Sequence, residues 1–385
     1  MARAFQTRRH LLVVYDADNG LFTYRVRGAA FQDSLARCGW QVEFVSYRHH
    51  NRDQLRKEVA LFSRQFDLVY LLKIPSSLDL IREIHRFSAA RVVFDLTDAL
   101  WLPLFREHGW QQIDEILAES DAIFCCNRYD KAYARQKNSR VFCVPPYADL
   151  AKFDEALAAA KPRAAIPVVI GWVGSNSTVS GLHNIAPALA RVAELNQEVI
   201  LRVVGCTDPK QLPVFTRLRV SLGPGVYDED VMIQEIIQMD LGVFPIVTDE
   251  EEFQIRGPLK ALNYMSGIIP VVCHNAGECT NLIKDGESGM LACTQEEWAG
   301  KISRLVRDPV LRREMGLRGH AIVRDRFSKE SVFEILETSL QSVLNQSVSR
   351  SLVAAALRAT GLRFFRKMKA FRLGASKARV LPENG

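Results

Sequence analysis

Arg256 and Lys260 stand where cations are electrically out of place. Gly257-Pro258 marks the start of a helix that Gly267 closes, so Arg256 falls just ahead of the helix N-terminus and Lys260 in its first turn. A cation at that end opposes the helix dipole at a cost of roughly a few tenths of a kcal/mol, and an anion lying among both side chains and the free N–H groups reverses the sign. A diphosphate has the charge for such a place; a solvated cationic face is the bland alternative. A second segment of related chemistry is Ile170–Thr178 (IGWVGSNST), a strand running into a loop of small and hydroxylic residues. There Gly174, Ser175, Asn176 and Ser177 let backbone N–H groups approach a phosphate without side-chain obstruction, although the same residues also make an ordinary strand-to-helix turn. No G-x-G-x-x-G is present, which leaves a dinucleotide fingerprint unsupported.

The N-terminal half offers a different kind of group. Asp18, Asn19 and Gly20 follow the first strand, with Tyr24 and Arg25 at the start of the next helix; they line the strand end where a ligand sits, or form an Asx-type turn beside a solvated arginine. Asp95 and Asp98 bracket the end of another strand. Asp95 still belongs to the strand, whereas Asp98 lies clear of it, at the carboxyl end where a ligand of such a sheet sits. The eight histidines form no metal-spaced set. No metal and no resident cofactor are expected, since helix ends and cations can balance a leaving diphosphate.

These residues need a scaffold, and hydrophobic periodicity supplies one. Short β-branched runs at 11–16, 42–47, 67–72, 91–96, 122–126 and 140–144 alternate with amphipathic stretches near 24–38, 52–65, 77–87, 112–120 and 128–137. A second series has strands at 168–173, 199–204, 218–222, 241–246 and 268–273, with helices near 182–194, 229–238, 258–266 and 296–306. Such alternation predicts an α/β fold of two Rossmann-like, doubly wound domains facing a cleft, with ligands at the carboxyl ends of the strands. The alanine- and lysine-rich stretch 151–167 reads as the connection between domains 1–150 and 168–328; 329–349 reads as a helix packing back on the N-terminal domain, and 350–385 as a tail.

With 48% apolar and 24% charged residues among 385, the chain is neither disordered nor collagen-like, and eight cysteines without a C-x2-C pair suit reduced thiols rather than a zinc knuckle. The net charge of +6 is a property of the tail: residues 350–385 hold nine basic residues against Glu383 alone, leaving the rest at −2. A body built to grip nucleic acid is thereby disfavoured. Leu352, Ala355, Ala359, Leu362 and Phe365 approximate one helical face among these charges, a pattern that suits an anionic membrane surface, a disordered extension or a helix folded back on the body. No run of about eighteen apolar residues and no secretory leader is seen, so a cytoplasmic location is expected, with peripheral contact at the inner face of a membrane.

Four segments together resemble the C-terminal domain of family 4 (GT4-type) glycosyltransferases of GT-B architecture: 171–178, 256–272 (RGPLKALNYMSGIIPVV), 276–292 (AGECTNLIKDGESGMLA) and 308–328. The N-terminal half is similar more loosely, through 23–43 and 94–101. The resemblance implies a retaining transferase that moves a sugar from a nucleotide-sugar donor to a hydroxyl, and a cell-envelope glycan or lipid-linked acceptor is the one that would explain the basic tail. It places Gly174, Ser175, Asn176, Ser177, Arg256 and Lys260 near the donor diphosphate and Asn263 near the ribose, with Asp18, Asn19, Gly20, Tyr24 and Arg25 on the acceptor side and Asp98 as the catalytic carboxylate nearest the attacking hydroxyl. Where the family usually carries two glutamates eight apart, this chain has Ile255 and Asn263, with Glu250, Glu251 and Glu252 just upstream. A non-catalytic binding or scaffold protein and a sugar-nucleotide epimerase stay open as alternatives.

Overall fold

The strand segments RHLLVVYD, RVVFDL and VVIGWV have almost no polar face, so each has to be covered by helices on both sides, as parallel sheets require. The computed structural model describes residues 9–16, 23–47, 52–75, 77–161, 166–196, 198–225, 228–246, 255 and 257–345. It contains two compact units, one taking in residues through Val144 and again from Phe333, the other Pro145–Val332.

In the first unit β1 (Arg9–Asp16), β2 (Trp40–Tyr47), β3 (Leu68–Leu72), β4 (Arg91–Leu96), β5 (Ala122–Cys125) and β6 (Val141–Cys143) form an all-parallel sheet of order 2-1-3-4-5-6. Its helices are α1 (Gln32–Arg37), α2 (Arg52–Phe62), α3 (Leu78–Phe87), α4 (Ile113–Glu119) and α5 (Arg128–Arg135). In the second, β7 (Val168–Val173), β8 (Val199–Val204), β9 (Arg219–Leu222), β10 (Leu241–Phe244), β11 (Val271–His274) and β12 (Met290–Ala292) pair in parallel in the order 12-11-10-7-8-9. α6 (Leu150–Ala159), α7 (Ala186–Leu195), α8 (Glu229–Ile236), α9 (Leu259–Ser266), α10 (Gln295–Arg307) and α11 (Pro309–Phe327) pack around it, and α12 (Lys329–Asn345) ends the described chain. The winding reverses between β1 and β3 and again between β7 and β10, and a doubly wound sheet opens its ligand crevice at the carboxyl side of such a point.

A glycine seats α9 on its sheet. A side chain at Gly242 would meet the Tyr264 ring at 2.5 Å, so the bare β10 backbone is what lets that ring lie flat on the strand. The buried Tyr264 hydroxyl then accepts from Val173 N–H (2.8 Å) and donates to the Gly171 carbonyl (3.3 Å), tying α9 across to β7. The turn after α9 departs from expectation: Gly267 keeps a negative φ, and the left-handed residue is Ile268 at φ +60°, whose carbonyl lies against Gly316 of α11 so closely that any side chain there would collide at 2.1 Å.

Three further departures concern boundaries. The stretch expected as the inter-domain connection is largely α6, with Leu150, Phe153 and Ala156 buried in the core of the second unit, and the division falls ahead of it, at Val144-Pro145. The helix expected over 24–38 is a wide turn at Tyr24–Gly28, a tight turn at Ala29–Phe31 and then α1; the break falls at Gly28, whose φ of −120° and ψ of −76° are not helical and where an added side-chain carbon would come within 3.1 Å of Leu72. β12, three residues long, gives too short a periodic signal to be read. In α12, Phe333 stacks on Phe31, and Glu337 accepts from Arg9 and Trp40. All eight cysteines are free. Among the described residues no helix is long and apolar enough to cross a membrane.

Candidate functional site

At the β7–β10 reversal, β7 delivers Gly174, whose N–H donates to the Val204 carbonyl at 3.0 Å. Glycine is required twice here. A side chain at Gly174 would strike the Trp172 ring at 2.4 Å and the Lys260 Nζ at 2.7 Å, and one at Gly205, which has φ +88°, would strike the Gly174 carbonyl at 2.1 Å. The loop beyond is held by its own side chains. Asn176 donates to the Thr207 hydroxyl (2.6 Å) and accepts from Thr207 N–H (3.0 Å), so its amide pins the loop to the turn after β8. Ser175 and Ser177, both exposed, share a 2.9 Å hydroxyl contact, and Thr178 donates to the Ser175 carbonyl at 3.0 Å.

Lys260 arrives at this loop from the first turn of α9. Its Nζ donates to the Thr178 hydroxyl at 2.9 Å and lies over the rings of Trp172 and Phe244, 5.0 and 5.8 Å from their centroids. The ring faces and the hydroxyl offset part of the misplacement inferred from the helix dipole, so the ammonium has a built seat even without an anion. It is half-buried beside Gly174, with the two serine hydroxyls on the same turn. Asn263, one turn on, points its amide at the Met232 sulfur (3.5 Å), and Ile255 is buried. Arg256 lies outside the described residues, as do Glu250, Glu251 and Glu252.

At the carboxyl edge of the first sheet, Asp18, Asn19 and Gly20 lie outside the described residues. Tyr24 is a packing residue: its ring stacks on Tyr15 at 4.2 Å and meets Phe44 edge-on at 5.3 Å, while Arg25 is exposed. Asp95 is fully buried and structural, bonded by Arg27 through Nε (3.1 Å) and Nη2 (2.9 Å) and by the Tyr70 hydroxyl; Arg27 also donates to the Val144 carbonyl at 2.7 Å. Burial and the Asp95 charge push the Tyr70 hydroxyl well up. Asp98 is half-exposed and forms an ion pair with Lys73, the residue after β3. Beneath, Asp130 accepts from Asn127 (2.7 Å) and from the Cys126 thiol (3.2 Å), and burial raises its pKa well above the usual carboxylate range.

The sequence reading thus brings Gly174, Ser175, Ser177 and Lys260 to one place, and assigns Asn176 and Tyr24 to jobs that prove to be pinning and packing. It misses Lys73, Trp172, Thr178 and Thr207 as site-shaping groups. A lysine directly after an all-apolar strand (LVYLL) is the signal that pointed to Lys73.

Two doubly wound parallel units with these loops define the GT-B class of fold. Residues 167–308 match the family model described as "Glycosyl transferases group 1". The capsular polysaccharide biosynthesis glycosyltransferase CapM of Staphylococcus aureus is 24% identical over 188 residues, 46% of this chain and 47% of CapM, so the match spans about half the length of that relative. Among solved structures, a glycosyltransferase from Rickettsia africae superposes with a TM-score of 0.67 at 12% identity, covering 89% of this chain and all (100%) of that one. Anabaena HepE in complex with UDP gives 0.65 at 17% identity, covering 87% of this chain and 100% of that one.

Proposed function

We propose that the chain is a retaining glycosyltransferase that takes a sugar from a nucleotide-sugar donor, a UDP-sugar in the first instance, to a hydroxyl of a cell-envelope glycan or lipid-linked acceptor. The observation that carries the reading is the Lys260 ammonium seated against the Gly174–Thr178 turn at the reversal point of the second sheet. Both the relative CapM and the UDP carried by HepE agree with it.

As the bond from the sugar to the diphosphate breaks, negative charge grows on the leaving oxygens. Lys260, held by Thr178 and two ring faces, and the turn's N–H groups meet that charge without reorganising, which is where preorganised electrostatics contribute most. Arg256 adds a second cation to this account, and Asn263 a neutral hydrogen bond to the ribose. On the other unit Asp98 is the group nearest the attacking hydroxyl. No metal enters the account. The basic 350–385 segment would hold the protein at an anionic membrane, the peripheral placement that a lipid-linked acceptor calls for.

A panel of nucleotide sugars tests this by nucleotide release. Turnover with at least one donor, rising when a glycan acceptor is added, is expected. Binding without release would favour the scaffold reading, for which Ile255 and Asn263 in place of two glutamates are the specific support; an altered donor of unchanged mass would favour an epimerase.

A further inference from the structure

The ion pair between Lys73 and Asp98 is a part-exposed contact at the carboxyl edge of the first unit's sheet. Lys73 follows β3, one of the two strands at that sheet's reversal point, and Asp98 follows the neighbouring β4, whose register sets Leu72 opposite Asp95. The side chains are 26% and 42% exposed, so the pair adds little to stability, and a bound molecule can open it at small cost. Lys73 also has φ +48°, a left-handed conformation that a non-glycine residue rarely adopts and that tends to gather at functional sites.

Its chemistry is selective. Of the charges near this edge, Arg27 is spent on Asp95 and the Val144 carbonyl, and Asp130 is held towards its neutral form by burial. Lys73 and Asp98 set a charged donor beside a charged acceptor, with the exposed Arg25 on the segment after β1. Each hydroxyl of a sugar diol can both donate and accept. One can donate to Asp98 while its neighbour accepts from Lys73, and both bonds are charge-assisted. Trp101, three residues past Asp98 and half-buried, stacks with one face on Tyr133 (4.3 Å, 7°) and brings an aromatic ring to the same loop.

The geometry points to Lys73, with Asp98, as the acceptor-recognition pair, reading vicinal hydroxyls of a neutral sugar; Lys73 is its specificity-determining residue. This rests on the transferase reading for its name as an acceptor site, but it can be tested apart from turnover. Saturation-transfer NMR on the full chain with the methyl glycosides of glucose, galactose and N-acetylglucosamine, and with glucose 6-phosphate, is the experiment. Transfer to at least one neutral glycoside is expected, lost at least fivefold in Lys73→Met and Asp98→Asn, kept in Lys73→Arg, with UDP affinity and thermal midpoint unchanged. Equal signals in wild type and Lys73→Met, no signal from any glycoside, or a preference for the phosphate that Lys73→Met alone removes would each overturn the pair's assignment. Absence of UDP binding in the unmutated chain would sink the transferase reading instead, while the glycoside result still decides the pair.

Discussion

Asn263 shows how a single residue type sets the strength of an expected contact. A neutral amide makes a weaker bond to a ribose hydroxyl than a carboxylate does, because only the latter is charge-assisted. Asn263→Glu is therefore expected to tighten UDP binding about fivefold to tenfold, measured by calorimetric titration; weaker binding would place the ribose elsewhere. Asp114 carries a pH prediction. Burial alone would raise its pKa, but hydrogen bonds from Tyr133, Arg106 and Lys137 more than offset this and hold it below the usual 3.8, while burial and Asp114 push Tyr133 up to about 12. A carboxyl lowered in the fold contributes stability above its unfolded pKa and loses it as pH falls through the folded one. A phenol raised in the fold contributes below its ordinary 10.0 and loses it as pH rises towards about 12. The gap in thermal midpoint between wild type and Asp114→Asn should thus be constant from about pH 5 to 9 and shrink on both sides. A gap that widens in acid would contradict the assignment.

Among the elements, α9 decides whether Lys260 reaches the loop at all. It is tied to β7 by one hydroxyl, so Tyr264→Phe leaves Val173 N–H buried without its partner and should cost about 2 kcal/mol in denaturant unfolding. The same variant should weaken nucleotide binding, because Lys260 rides on that helix; a stability loss with binding intact would separate the helix from the site. The elements were also the most legible part of the sequence. Mainly apolar runs such as VVIGWV and RVVFDL announce buried parallel strands, and ten of the strand expectations lie within about two residues of the observed ends, whereas the one at 268–273 starts three residues early because Ile268 turns left-handed. The Gly174 turn and Lys260 were legible for the same reason: they sit at strand and helix ends, which punctuation residues mark. The jobs of Asn176, Tyr24 and Lys73 were not, because they depend on partners far away in sequence: Thr207, Phe44 and Asp98. α6 was misread for a related reason, its alanine-rich surface hiding three buried positions spaced at helical intervals.

On the scale of the whole molecule, charge and function divide along the chain. The body is near neutral and the basic excess sits in 350–385, beyond the described residues. Truncation after Arg350 should abolish cosedimentation with vesicles rich in anionic lipid while leaving nucleotide release in solution within about twofold; cosedimentation that survives truncation would move the membrane contact into the body. Of the two units, the second carries the account's weight, since it holds the family match and the seated lysine. Calorimetric titration of UDP into wild type and Lys260→Ala is the most direct test of that unit's role. The account predicts at least a tenfold loss of affinity with the thermal midpoint essentially kept, and an affinity equal to wild type would contradict it.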